Sequence, residues 1–370
     1  DFRSTMEKHY PKKWISEEFD PANIIRCQLP DFYRHFYETP DGLDGWIAES
    51  QEYQRFATRL MTSAFRRSER INTFAIHLFI DAFPSGWMKA IVDCERNLKP
   101  AFFEYKRCLA PVFCNIRSDR FSFFGGEEIE LESYLCTDMG YKMNEIRYYA
   151  LLDGRLIASE SVVPIGGKSQ GRISLRLPQV SEKTDLRVYM GAFKSGELKA
   201  FVEEKFKVYP YEKLKPCNII PFSEYEKNRS YLDCSVQNGQ TVIIGNMPQG
   251  NIRIGNTDIT VKLNAMNPIY FVSRDTGSKY TDGIGKNEFG WFYNSREDKI
   301  TPILYSTLCG NGLLPVLKTT NKSADGKWED SLACAELPFG KGKFILLQAE
   351  LENREKNPVV VKFLNNLSEG

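Results

Sequence analysis

The stretch TFAIHLFIDAFPSGWMKAIVDCERNLKPAFFEYKRCLAPV, residues 73–112, decides how the first part of this chain is read. It opens on Thr73–Ile80, an almost continuous apolar run of strand length with His77 at its centre. A strand that is apolar on both faces belongs in a parallel sheet covered by helices. The run ends at Asp81 and enters a turn through Pro84, Ser85, Gly86 and Trp87. A helix is predicted from Pro100, which suits a first helical position because its missing N–H is not needed there, through Tyr105 to Leu109. Upstream, Trp46, Tyr53, Phe56, Leu60, Met61, Ala64 and Phe65 recur near helical spacing between Leu43 and Arg70, with Glu, Gln and Arg on the other face.

Downstream the period changes. In residues 116–210, Ile129 and Leu131 alternate with Glu128, Glu130 and Glu132, while Ile173, Leu175 and Leu177 alternate with Arg172, Ser174 and Arg176. Leu186, Val188 and Met190 repeat the pattern, and Asp153-Gly154, Gly166-Gly167 and Ser195-Gly196 mark turns. About seven short strands of this kind predict an antiparallel sandwich of immunoglobulin type. A linker rich in Pro, Lys and Glu, Pro210 to Pro221, leads into residues 211–370, whose strands are again apolar on both sides: 241–245, 269–272 and 344–347. The chain closes on a helix capped by Asn357 with Pro358 at its first position. That mixture predicts an α/β domain with at least partly parallel strands.

Composition bounds the partners. The chain has 370 residues, with 49 Lys+Arg against 48 Asp+Glu and a net charge of +1, which excludes a charge-driven nucleic-acid reader. At roughly 150 residues each, two to three domains are expected. No stretch approaches the ~20 apolar residues of a membrane span, so no membrane partner is expected. The nine cysteines are odd in number, scattered and without a C-x-x-C pair, and they predict reduced core residues, no structural zinc and no cofactor. Such usage favours a cytoplasmic location. Asp1 is not an initiator methionine and the opening residues read as a helix already under way, so a longer protein is expected. With its leader outside the sequence, a periplasmic or secreted location stays open.

The segment 74–112 resembles the end of the (β/α)8 barrel in family 2 glycoside hydrolases, the β-galactosidase, β-mannosidase and β-glucuronidase group. The likeness rests on Asp81, Pro84, Trp87, the Ile91-Val92-Asp93 step, Arg96, Lys99-Pro100 and Tyr105 after an apolar last strand. TMEKHYPKKW (5–14) and ESQEYQRFATRLM (49–61) are similar to the segment between the seventh barrel strand and its helix. The family places an immunoglobulin-like sandwich next. The segments NPIYFVSRDTG (267–277), FGWFYNSREDKITPILY (289–305) and 340–367 resemble the glutamine-amidotransferase-like, flavodoxin-like domain found at the tail of some such hydrolases.

The resemblance implies three parts. Residues 1–115 would be the C-terminal part of a TIM barrel with its last strand at about 73–80, residues 116–210 the sandwich, and 211–370 a non-catalytic α/β amidotransferase-like domain. In a barrel the carboxyl ends of the strands carry the active site. His77, Asp81 and Trp87 are therefore the candidate substrate-binding residues, with Trp87 offering a face on which a sugar ring can stack. The chain departs from the mannosidase-like pattern at His77, where a Trp is usual, and at Ile80, where an Asn is usual, which leaves the sugar open.

A retaining glycosidase needs two carboxyl groups about 5–5.5 Å apart. The resemblance puts both before Asp1. Glu17, Glu18, Glu38 and Glu49 read as solvated loop or helix-face residues, so no catalytic residue is expected in this chain. The expected function is the C-terminal portion of a β-glycosidase, inactive alone. Its partners would be an oligosaccharide or glycoside bound through the parent barrel and the missing N-terminal part, and the reading admits a homo-oligomer.

Two rivals are a non-catalytic carbohydrate-binding or oligomerisation module and an amidotransferase-like enzyme. The second would need a Cys on a strand-to-helix turn and a His base. Cys309 sits in LCGNG, but residues 211–370 contain no His, since His9, His35 and His77 all lie earlier. Gly245, Gly250 and Gly255 fit no phosphate-loop spacing and read as turn residues.

Overall fold

The computed structural model describes residues 1–16, 19–24, 42–85, 89–138, 140–165, 168–264, 276–285, 288–290, 293–301, 303–323 and 325–370. The first part carries helices α1 (Arg3–His9), α2 (Lys12–Ser16), α3 (Pro21–Ile24), α4 (Leu43–Arg67) and α5 (Pro100–Cys108). Met6, Tyr10, Ile15, Ile24, Leu43 and Trp46 form its buried core. Both long helices begin where the apolar spacing and Pro100 place them.

The expected strand at 73–80 does not form. The segment is irregular, with bends at His77 and Phe79, and only Ile80 enters a bridge, parallel to Val92. Val92 N–H donates to Phe79 O at 3.0 Å and Asp81 N–H to Val92 O at 3.0 Å. A strand exists only through its neighbours, and among the described residues this short stretch around Val92 is all that comes alongside. Phe79 is accordingly 50% and Ile80 37% exposed, far from the two-sided burial the apolar run calls for. A barrel is not formed among the described residues.

Residues 112–209 form the sandwich, antiparallel but for one short parallel pairing of 122–124 with 207–209. Strands β1 (Val112–Arg117), β3 (Glu128–Thr137) and β6 (Lys168–Arg176) make one sheet. The other runs β2-β8-β7-β4-β5, from β2 (Ser122–Phe124), β4 (Glu145–Leu152), β5 (Arg155–Val162), β7 (Thr184–Lys194) and β8 (Glu197–Tyr209). Ile129, Leu131, Ile173, Leu175, Leu177, Leu186, Val188 and Met190, the residues singled out by alternation, all lie in its single core. The intervening acids face solvent or pair across the sheet, as Arg172 Nη1 does with Glu130 Oε2 at 2.7 Å. The first strand begins four positions before the expected boundary at 116, because Val112 and Cys114 already point inward.

The tail is built on an eight-stranded sheet in the order β11-β12-β15-β17-β18-β10-β9, with β16 also paired to β17. These strands are β9 (Ile219–Pro221), β10 (Thr241–Gly245), β11 (Gly250–Ile254), β12 (Thr257–Leu263), β15 (Ser306–Gly310), β16 (Leu314–Lys322), β17 (Trp328–Phe339) and β18 (Gly342–Leu347). A separate pair is β13 (Tyr293–Asn294) with β14 (Lys299–Ile300). Helices α6 (Phe222–Lys227) and α7 (Arg229–Gln237) cover one face, and α8 (Pro358–Glu369) covers the other.

Along β18, Phe344 and Leu346 pack with the α6–α7 core while Ile345 and Leu347 pack with the α8 core. That two-sided burial is why 241–245 and 344–347 read as unbroken apolar runs. The tail differs from a flavodoxin-like sheet in its directions. Parallel pairing is confined to β9–β10–β18, and the remaining strands pair antiparallel. Short turns join β11 to β12, β16 to β17 and β17 to β18, and a parallel partner needs a long crossover. The expected strand at 269–272 lies outside the described residues, as do Trp291 and Phe292.

The three parts are joined by packing and ion pairs. Phe124 and Tyr209 from the sandwich belong to the same core as α8. Arg59 on α4 pairs with Glu204 on β8, and Arg55 Nη1 reaches Glu104 Oε1 on α5 at 2.5 Å. Burial pushes the Glu204 carboxyl above its ordinary value despite Arg59.

Truncating Leu186 to Ala, at the centre of the sandwich, should cost about 2–5 kcal/mol in a denaturant titration. Glu130→Ala, on the solvated face, should change it by less than about 1 kcal/mol.

Candidate functional site

The three sequence candidates part company in the structure. His77 is exposed and lines a cavity of about 440 Å³ between α4 and the segment 74–77. Asp81 does not line it. Trp87 lies outside the described residues.

Asp81 is instead buried in an ion pair. Lys99 Nζ, itself buried, donates to Asp81 Oδ2 at 2.7 Å and sits 3.5 Å from Asp1 Oδ1. Asp1 Oδ2 accepts from the Ser85 N–H at 2.7 Å, and the Asp1 carbonyl accepts from Gln51 Nε2 at 3.2 Å. One lysine thus ties the start of α5, the 81–85 turn and the first residue together. Asp81 and Lys99 both belong to the segment that carried the family resemblance. The structure places Asp81 against Lys99, away from the cavity that His77 lines.

The cavity wall is mainly apolar, with Phe65, Phe74, Ile76 and Tyr105 supplying much of it. Several of its polar groups are already committed. Gln54 Nε2 donates to the carbonyls of Lys89 and Ala90 at 2.9 and 3.0 Å, Gln51 holds Asp1, and Lys99 holds Asp81. Asp1 is the only acid lining this cavity among the described residues. The cavity can hold a small ligand with an apolar face, but the described residues give it no facing pair of carboxylates for acid–base hydrolysis.

A second cavity, of about 570 Å³, opens at the carboxyl ends of β10 and β18. In open α/β sheets this is where ligands bind. Glu297, Glu350, Glu352 and Glu355 surround it, against a single buried Arg354 whose Nη2 donates to Thr301 Oγ1 at 2.8 Å. The acidic surround disfavours the phosphates that such crevices commonly take. Cys309 lies inside β15, paired opposite Thr260, with its Sγ 3.4 Å from Ser331 Oγ. It is not on a strand-to-helix turn, so the amidotransferase arrangement is not built there. Gly245 also differs from a turn residue. It ends β10 with backbone so close to its neighbour that a Cβ would lie 2.9 Å from Ile219 Cγ2.

Sequence reasoning missed Lys99 as the hub, because a buried lysine is named only by the acids that meet it in space. It also missed the grouping of His9, Cys94 and Glu95, whose ligand atoms all lie within 4.8 Å of one another. All eight described cysteines are free thiols. No described helix is long and apolar enough to cross a membrane.

No protein-family model matches the chain. No curated protein matches it either. Solved structures match over parts of it. A β-D-mannosidase from Dictyoglomus thermophilum has a TM-score of 0.34 and 18% identity over 48% of this chain and 21% of its own. A β-glucosidase from Listeria innocua, in complex with gluconolactone, has a TM-score of 0.20 and 17% identity over 27% of this chain and 16% of its own. The CARDB domain of a Pyrococcus furiosus protein has a TM-score of 0.22 and 12% identity over 27% of this chain and 87% of its own. The chain thus spans only a small share of either glycosidase. Scores this low carry no functional argument.

Replacing Lys99 by Met should destabilise the chain by about 3–5 kcal/mol, because it leaves the Asp81 and Asp1 carboxylates buried without a cation. Urea unfolding monitored by fluorescence checks this, and a change below about 1 kcal/mol would remove Lys99 from its place at the hub.

Proposed function

We propose that this chain is the C-terminal portion of a retaining β-glycosidase of the family 2 type, acting on an oligosaccharide or glycoside. Both catalytic carboxyls belong to the part of the protein before Asp1, and the chain alone is inactive. The observation that carries the reading is the segment 73–81. Its sequence is that of a strand buried on both faces, yet Phe79 and Ile80 are half or one-third exposed and Ile80 meets only Val92. Such a segment needs further strands beside it, as the last strand of a barrel has. The family's Asp81 and Lys99 meeting in one buried pair, and the sandwich following at once, support the same reading. In that arrangement His77, at the mouth of the cavity, stands beside the sugar and Trp87 stacks on it.

The mechanism of such an enzyme divides the work. One upstream carboxyl protonates the leaving oxygen and the other forms and releases a glycosyl intermediate. This chain's residues close the carboxyl end of the barrel and orient the substrate. The rival reading, a carbohydrate-binding or oligomerisation module, keeps the cavity but needs no upstream barrel.

The test compares this chain with the polypeptide extended through its upstream coding sequence, on aryl β-galactosides, β-mannosides and β-glucuronides. The chain alone should show no turnover, and the extended protein should hydrolyse at least one substrate with retention of configuration. Turnover by the chain alone would place the carboxyls here and overturn the reading. Inactivity of the extended protein on every substrate would leave the module in its place.

A further inference from the structure

We propose that His9, Cys94 and Glu95 bind one divalent transition-metal ion, with zinc the ion that the donors suit best. This site is separate from the cavity at His77 and does not depend on the glycosidase reading. His9 ends α1, and Cys94 and Glu95 are consecutive in the turn that follows Val92. Their ligand atoms all lie within 4.8 Å of one another, and His9 Nε2 is 2.8 Å from Glu95 Oε1. Around a tetrahedral zinc, with bonds of about 2.0–2.3 Å, donor atoms stand about 3.3–3.8 Å apart. The His9–Glu95 contact must therefore open by about half an ångström to admit the ion, which a small side-chain rotation supplies.

The scaffold beneath the three residues is already fixed. Asp93 is fully buried, and its Oδ2 accepts from Thr5 Oγ1 at 2.6 Å and from Asn97 Nδ2 at 2.9 Å. Its Oδ1 accepts from the Asn97 N–H at 2.8 Å. The turn closes through Arg96 N–H to Asp93 O at 3.1 Å, with Arg96 in the left-handed region at φ 72°. Thr5 and His9 lie one helical turn apart and share a face of α1. The bond that pins Thr5 to Asp93 thus also holds His9 over Cys94 and Glu95. These bonds fix the backbone from which the three ligands project.

The donor set decides the ion. One sulfur, one imidazole nitrogen and one carboxylate oxygen select zinc, cobalt or nickel over magnesium and calcium, which prefer oxygen. Three protein ligands at an exposed site leave a fourth position for water. Lys8 Nζ donates to Glu95 Oε2 at 2.8 Å, leaving Oε1 for the ion but placing a positive charge beside it. Removing that charge should leave binding equal or tighter.

The experiment titrates the whole, tag-free chain with cobalt(II), read by thiolate-to-cobalt absorption, and then displaces the cobalt with zinc. The proposal expects one equivalent bound with a thiolate band, displacement by zinc but not by equal magnesium, and a higher Tm with zinc. Cys94→Ser should abolish the band, and His9→Ala and Glu95→Gln should each weaken zinc binding by at least about tenfold. Circular dichroism confirms that these surface variants fold. Cys234→Ser, on α7, should behave as the parent, and Lys8→Ala should bind as tightly or more tightly. Absence of the band at one equivalent, its survival in Cys94→Ser, or weaker binding by Lys8→Ala would overturn the site.

Discussion

The first part of the molecule depends on one buried cation. Lys99 lies at the start of α5 with its ammonium between Asp81 and Asp1, all three removed from solvent. Desolvating these groups is costly, and their mutual contact compensates together with the Ser85 N–H on Asp1, so replacing Lys99 strands both carboxylates. The arrangement ties the 81–85 turn to the start of α5. A separate bond holds α1, where Thr5 is tied to Asp93 twelve positions beyond Asp81.

From there, order passes outward through mixed contacts. The Arg59–Glu204 and Arg55–Glu104 pairs bind α4 to the sandwich and to α5, and Phe124 and Tyr209 carry the sandwich into the core of the tail. The tail's sheet is covered on both faces, and β10 and β18 end at a second, acid-lined cavity. The chain is thus a series of packed units, and among the described residues the apolar segment at 73–80 is bridged at Ile80 alone.

What could be read from the residues follows from how local each signal is. Alternation at Ile129–Leu131, Ile173–Leu177 and Leu186–Met190 is a two-residue pattern, and the sandwich core contains every one of these side chains. The cap of α8 was equally plain, since Asn357 Oδ1 accepts the Val359 N–H at 3.1 Å as its position before Pro358 suggests. Strand direction in the tail was not legible, because a short apolar run is the same read either way. The 73–80 run declared its need for neighbours but could not name them. The meeting of Asp81 with Lys99 spans 18 positions, and His9 gave no sign of Cys94 and Glu95 across a separation of 85 or more. Signals carried by distant pairs are invisible until the chain is folded.

The central claim is that 73–80 is a strand awaiting its neighbours. Hydrogen exchange of the segment 74–80, compared between this chain and the polypeptide extended through its upstream coding sequence, tests it directly. The account predicts fast exchange here and strong protection in the longer protein, with the sandwich strands unchanged. Equal exchange in both would contradict it, since the segment would then be complete as it stands.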